Sequence, residues 1–193
     1  MSIQAPWKDL LVEPLAKDHV VQLYRDERFL VEAVALFAAL GIGKGEAVVL
    51  VATAPHLAAV EERLEAKGVG VEDVKAWGQL TVLEASELLS RLMVNGRPDA
   101  TLFKSVVEPV IRKARGASRP GGVRVYGEMV NLLWRKNVAA AACLEALWNE
   151  VIHAHSISLF CAYALAGDGD AHGQFPHDLR AAHSHVIPVE ACT

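Results

Sequence analysis

The sequence predicts an α/β fold: a mainly parallel sheet of about five or more strands with helices on both faces. Three observations lead there. Short apolar, β-branched runs alternate with longer segments whose apolar residues recur at helical spacing. Clusters of Gly, Pro, Asn and Asp separate the two kinds of segment. Strands joined through helices cannot pair as hairpins, so they lie parallel, and a parallel sheet needs helical cover on both faces.

Residues 1–17 form a loosely specified lead-in, and residues 18–190 read as a single domain. His19 to Tyr24 is the first strand, and Asp26 can cap a helix from Glu27 to about Leu40. Phe29, Leu30, Ala33, Val34, Phe37 and Leu40 give that helix its apolar stripe. Gly41-Ile42-Gly43-Lys44-Gly45 looks superficially like a nucleotide loop. It follows a helix and precedes a strand, the reverse of the required order, so it reads as a helix end and turn. Glu46 to Val51 is the second strand, Ala58 to Lys67 a helix and Gln79 to Leu83 the third strand. Helices over about 85–93 and 99–115 flank the turn-rich break at residues 95–99. Val123 to Tyr126 is the fourth strand. A short helical piece to Trp134, a helix over about 138–153 and a fifth strand, Ser158 to Tyr163, complete the core. The second and fourth strands are expected in the sheet interior. Trp134 and Trp148 are expected to pack in the core, and Gly167-Asp168-Gly169-Asp170 opens a polar tail.

The chain has 193 residues, 52% hydrophobic and 22% charged, which suits one globular domain with a sizeable core. Its formal net charge of −4 disfavours a dedicated nucleic-acid binder, which needs a basic surface. The group Arg112, Lys113, Arg115 and Arg119 reads as a solvated helix end. The N-terminus lacks the pattern of a targeting segment, and the apolar runs are far shorter than a membrane helix needs. Cys143, Cys161 and Cys192 are odd in number and without C-x-x-C spacing. Cys143 and Cys161 read as small buried apolar residues in a protein of the reducing cytoplasm.

The turn after the second strand, Ala52-Thr53-Ala54-Pro55-His56, stands where a nucleotide-binding α/β protein would carry a Gly-rich phosphate cradle. It has no glycine, no lysine and one hydroxyl. Tight ATP binding and hydrolysis are therefore not expected. Ligands of such sheets bind outside the carboxyl ends of the strands. The residues delivered there are Tyr24, Arg25, Asp26, Thr53, His56, Glu84, Tyr126, Glu128, Met129 and Tyr163. Aromatic rings with one arginine and a few carboxylates suit a small, partly apolar ligand better than a triphosphate. No cofactor is called for.

Several stretches carry a family resemblance. His19 to Glu27, Gly45 to Thr53, Tyr126-Gly127-Glu128-Met129-Val130, Leu144 to Glu150 and His183 to Pro188 resemble, in the same order, the blocks of the MEDS domain. That is a sensory domain of methanogens, methylotrophs and a dichloromethane-responsive regulator. The resemblance implies a RecA/KaiC-like fold without a working phosphate loop, used in bacterial and archaeal signalling to sense small hydrocarbon derivatives. No kinase or helix-turn-helix pattern accompanies it in these 193 residues, so a separate partner, a kinase or transcriptional regulator, is the expected output.

The expected ligand site comprises Tyr24, Arg25, Thr53, His56, Tyr126, Glu128, Tyr163, His183 and His185, with His183 or His185 folding over the sheet edge. His183 and His185 form an H-x-H pair preceded by His172 and His177, a spacing compatible with a metal. No Cys or acidic residue lies at a confirming spacing, so local hydrogen bonding is the preferred reading and no metal is assigned. His153 and His155 read as helix-end residues. Glu128 could bind a ligand or cap the next helix, and Arg25 could pair with it or with Asp26 and Glu27. No catalytic constellation stands out: Ser86, Ser90 and Ser105 lack a nucleophile-elbow context. A non-enzymatic ligand sensor is the leading expectation. A protein-interaction scaffold with a vestigial nucleotide site, or a residual NTPase, is the alternative.

Overall fold

The computed structural model describes residues 6–119, 121–165 and 175–189. His172, Cys192 and the Gly167 to Asp170 segment lie outside them. The element order is α1 (Pro6–Val12), β1 (His19–Tyr24), α2 (Glu27–Gly43), β2 (Ala47–Ala52), α3 (Ala54–Ala66), α4 (Val71–Ala76) and β3 (Leu80–Glu84). It continues with α5 (Ala85–Leu92), β4 (Met93–Val94), β5 (Arg97–Pro98), α6 (Ala100–Ala117) and β6 (Val123–Gly127). Then come α7 (Met129–Leu133), α8 (Val138–His155), β7 (Ser158–Ala164), α9 (His177–Ala181) and β8 (His185–Ile187).

Six strands form one sheet in the order β3-β2-β6-β7-β1-β8. Every pairing in it is parallel. The second and fourth strands in sequence, β2 and β6, are interior as expected. The first strand is interior too: Val20 faces Phe160 of β7 on one side and His185 of β8 on the other.

Alternation along each strand feeds two cores. Val49, Val51, Val125, Leu159, Cys161 and Tyr163 face α5 to α9. Val48, Leu50, Ala52, Tyr126, Phe160 and Ala162 face α1 to α4. Burial on both faces explains why β2 reads as a continuous apolar run and why even Gln22, within β1, is buried. Trp148 packs edge-on to Phe103 with ring centroids 5.1 Å apart.

The local signals hold at α2. Asp26 caps it by accepting a hydrogen bond from the Arg28 backbone N–H at 2.8 Å. Gly45, at φ +78°, turns the chain from α2 into β2. Gly41 sits against Arg124, and a Cβ there would lie 2.7 Å from the arginine Cδ. Arg124 is buried at the amino end of the sheet, where it donates to Glu46, Leu11 O (2.9 Å), Phe37 O (3.2 Å) and Val12 O (3.2 Å).

Six differences from the sequence reading matter. The lead-in contains α1, residues 71–76 form α4, and the break at 95–99 holds the turn and second strand of a β4–β5 hairpin that starts at Met93. Helix α3 begins at Ala54, so Pro55 and His56 occupy its first turn, as proline's fixed φ allows. The tail supplies a sixth strand, β8, too short to show alternation. Finally, His183 and His185 stand at the amino end of β8, next to the start of β1, where Ser184 N donates to His19 O. They therefore cannot close over the carboxyl edge.

Candidate functional site

At the carboxyl edge, β2 and β6 are neighbours, but α3 and α7 leave them toward opposite faces. Such a divergence opens a crevice between the strand ends. Glu128 fills it and is 2% exposed. It accepts hydrogen bonds from Thr53 N (3.3 Å), Thr53 Oγ1 (3.4 Å) and His56 Nδ1 (2.8 Å). It makes no side-chain cap on α7. His56 is 12% exposed, and its Nε2 lies 4.0 Å from Glu27 Oε1. The hydrogen bond to Glu128 raises the His56 pKa, against the opposing effect of burial; the charges of Glu128 and Glu27 add to the rise.

Outside His56 lies a cleft of about 350 Å³ between α2 and α3. Glu27, Arg28, Glu62 and Arg63 bring charge to it, and Val31, Ala59 and Ala66 bring apolar surface.

The other expected site residues are distributed differently. Tyr24 is buried, and its hydroxyl accepts from Asn131 Nδ2 at 3.4 Å. Its pKa is raised by burial first, then by Glu128 and Glu27. Arg25 is exposed on the turn into α2. Tyr126 is buried beside Phe160, and its hydroxyl has no hydrogen-bond partner. Glu84 caps α5 by accepting from Glu87 N at 2.6 Å. Tyr163 faces the other layer. The structure thus brings Thr53, His56 and Glu128 together, with Tyr24 nearby. It separates Tyr163, His183 and His185 from them, and of Tyr24, His56, Glu128 and Tyr163 it is His56 that lines the α2/α3 cleft.

Tyr163 and His183 belong to a second polar group that sequence reading missed. Between the sheet and α8, His19, Glu145, Cys161 and His183 bring one nitrogen, oxygen or sulfur each within 4.8 Å of one another. Their side chains are wholly or almost wholly buried. His19 Nε2 lies 3.2 Å from Cys161 Sγ and 3.5 Å from Glu145 Oε2. His183 Nε2 lies 3.3 Å from Glu145 Oε1, which also accepts from the Tyr163 hydroxyl. His185 takes no part: it lies half-exposed, 3.7 Å from Asp18.

Burial holds His19 down to about 4 despite the raising influence of Glu145. The Cys161 thiol is pushed up by burial and then by Glu145. Burial works to raise Glu145, but His183, His19 and the Tyr163 hydroxyl together leave it below the usual carboxylate range.

A family model, the methanogen/methylotroph, DcmR sensory domain, matches residues 18–182. The chain belongs to the MEDS family. No curated protein sequence matches it significantly. Membership in a sensory-domain family supports a sensory, signalling role for this MEDS domain. Among the described residues no helix is long and apolar enough to cross a membrane. The matched span contains the carboxyl-edge group and His19, Glu145 and Cys161, and stops one residue short of His183.

Proposed function

We propose that this MEDS domain binds a small amphiphilic molecule in the α2/α3 cleft, without turning it over, and passes the event to a separate signalling partner. The observation that carries the reading is His56. One ring nitrogen is held by the buried Glu128, while the other points toward Glu27 at the cleft wall. A ligand polar group that competes with Glu27 for Nε2 alters the charge balance at Glu128. Through Thr53, Glu128 also holds the start of α3. A ligand event is thereby felt at the junction of β2, β6 and α3. Val31, Ala59 and Ala66 suit a short apolar body, consistent with a small hydrocarbon derivative. The partner is a kinase or transcriptional regulator, and the setting is the cytoplasm, where thiols stay reduced.

The packed strand ends favour a second reading, a protein-interaction scaffold whose ancestral site is filled by Tyr24, Tyr126 and Glu128. Mass spectrometry of small molecules co-purifying with the folded chain separates the two. Under the sensor reading, wild type carries a bound molecule, Ala59→Trp loses it by filling the cleft, and His56→Ala retains at least tenfold less. Equal cargo in wild type and Ala59→Trp, or none in either, overturns the sensor reading.

A further inference from the structure

We infer that His19, Glu145, Cys161 and His183 form a closed four-donor site for a borderline-soft divalent metal ion of the zinc class. The inference does not rest on the α2/α3 cleft, which lies at the other end of the sheet.

Spacing is the first argument. Donors bound to zinc at about 2.0–2.3 Å in a tetrahedron stand about 3.3–3.8 Å apart. The His19–Cys161, His183–Glu145 and His19–Glu145 contacts measure 3.2, 3.3 and 3.5 Å. All four donor atoms fall within 4.8 Å of one another, so small side-chain rotations converge them.

The outer hydrogen bonds supply the second argument, because they decide which nitrogen of each ring faces inward. Asn149 Nδ2 donates to Ala182 O at 3.0 Å, which turns its Oδ1 toward His19 Nδ1, 2.9 Å away. An amide oxygen can only accept, so His19 carries its proton on Nδ1 and presents the Nε2 lone pair inward. His183 Nδ1 donates to Leu179 O at 2.7 Å, with the same result for a neutral ring. Tyr163 donates to Glu145 Oε1 and steadies the carboxylate. Metal-binding histidines and carboxylates are characteristically held by such outer partners.

The third argument is what this leaves unsatisfied. Glu145 Oε2 and His183 Nε2 are buried with no hydrogen-bond partner, even though each lies close to a group of the cluster. Two imidazole lone pairs and a carboxylate oxygen converging away from water are costly without a positive centre among them. Histidine, carboxylate and sulfur donors select zinc-like ions over magnesium or calcium. On binding, Cys161 gives up its thiol proton to solvent and ligates as thiolate. Four protein donors leave no open position, so the ion is structural or regulatory and not a water-activating centre.

The ligands also indicate what the ion does. His19 opens β1, Glu145 lies in α8, Cys161 in β7 and His183 just before β8. A metal here fastens the carboxyl-terminal segment, α9 with β8, onto the sheet.

Cobalt(II) titration of the chelator-treated full chain tests the proposal. One equivalent should bind with tetrahedral visible bands and thiolate-to-cobalt absorption, both bleached by added zinc. Cys161→Ser should remove the thiolate absorption, and His183→Ala should weaken binding at least tenfold. Asn149→Ala, which removes the outer acceptor of His19 and the bond to Ala182 O but none of the four donors, should weaken it about 10–100-fold. Cys143→Ser and the cleft variant Ala59→Trp should bind like wild type, which keeps this result separate from the fate of the sensor reading. Circular dichroism establishes that each variant is folded. A folded wild type that takes up neither cobalt nor zinc overturns the inference, as does uptake with thiolate absorption unchanged in both Cys161→Ser and His183→Ala.

Discussion

Two histidine–glutamate groups sit at opposite ends of the same sheet and behave in opposite ways. At the carboxyl end, one histidine meets one carboxylate at 2.8 Å, and the rest of that carboxylate is satisfied by Thr53. Between the sheet and α8, two histidines and a thiol surround one carboxylate, and polar atoms are left over. The first group gains a hydrogen bond that favours its charged imidazole. In the second, burial forces His19 toward the neutral form. The same residue types thus make a self-sufficient pair in one place and an incomplete shell in the other. The difference comes from how many donors and acceptors balance inside the protein.

The largest effect that tests this contrast is expected from Glu145→Ala. It strips the carboxylate from His19, His183 and Tyr163 together, and removing one partner of a buried ionic group costs about 3–5 kcal/mol. Urea denaturation measures the loss. A change under about 1 kcal/mol would mean that Glu145 holds nothing in place.

Next in size is Glu128→Gln. A partly exposed site residue would tolerate this change. Glu128 is 2% exposed and triply bonded, and an amide cannot accept from Thr53 and His56 in the same way. The expected cost is about 1–3 kcal/mol by the same measurement. A loss here as large as for Glu145→Ala erases the distinction between the two groups.

A graded effect of opposite sign at the two ends is expected from pH, read in the presence of chelator. His56 has a raised folded pKa, so its contribution is fully present below the unfolded value of about 6.5. It is lost as pH rises through the folded value. His19 titrates at about 4 when folded, surrounded by Glu145, His183, Cys161 and Asn149. The unfolded chain takes up that proton first, so stability falls as pH drops from about 6.5 toward 4. The slope is at most about 1.4 kcal/mol per pH unit for one proton. His56→Ala should flatten only the alkaline limb, and His19→Gln only the acid limb. Either substitution flattening both limbs merges the two groups into one. The smallest stability effect is expected of Ala59→Trp, within about 0.5 kcal/mol, because it adds bulk to an open cleft away from both carboxylates.

These contrasts mark how far the sequence alone could go. Strands β1, β2, β6 and β7 were legible because burial on both faces leaves mostly apolar, β-prone runs, broken only by single polar residues such as Gln22 and Arg124. Asp26 announced the start of α2. The three residues of β8 show no period, and their strand character comes from pairing with β1, which local pattern cannot reveal. Thr53, His56 and Glu128 could be found by looking past the strand ends, but their mutual satisfaction could not, because it depends on β2 and β6 being neighbours. The His/Glu/Cys cluster was invisible for a related reason. Its members stand at positions 19, 145, 161 and 183, and no local spacing around the H-x-H pair reaches the other donors. That spacing also misled: His183 precedes the strand, so the two rings do not share a face.

Of the six strands of this sheet β1 is made first, and it sits between two of the last, β7 and β8. On the ribosome its edges stay unpaired until about 140 further residues have been synthesised, counting from Tyr24 to Ala164. Non-local pairing of this kind slows folding, and an open apolar edge invites association with other chains in the meantime. The nascent protein is therefore most exposed to misassembly before β7 emerges. A stop codon anywhere upstream of Ser158 should leave an aggregating product, measurable as loss of soluble yield.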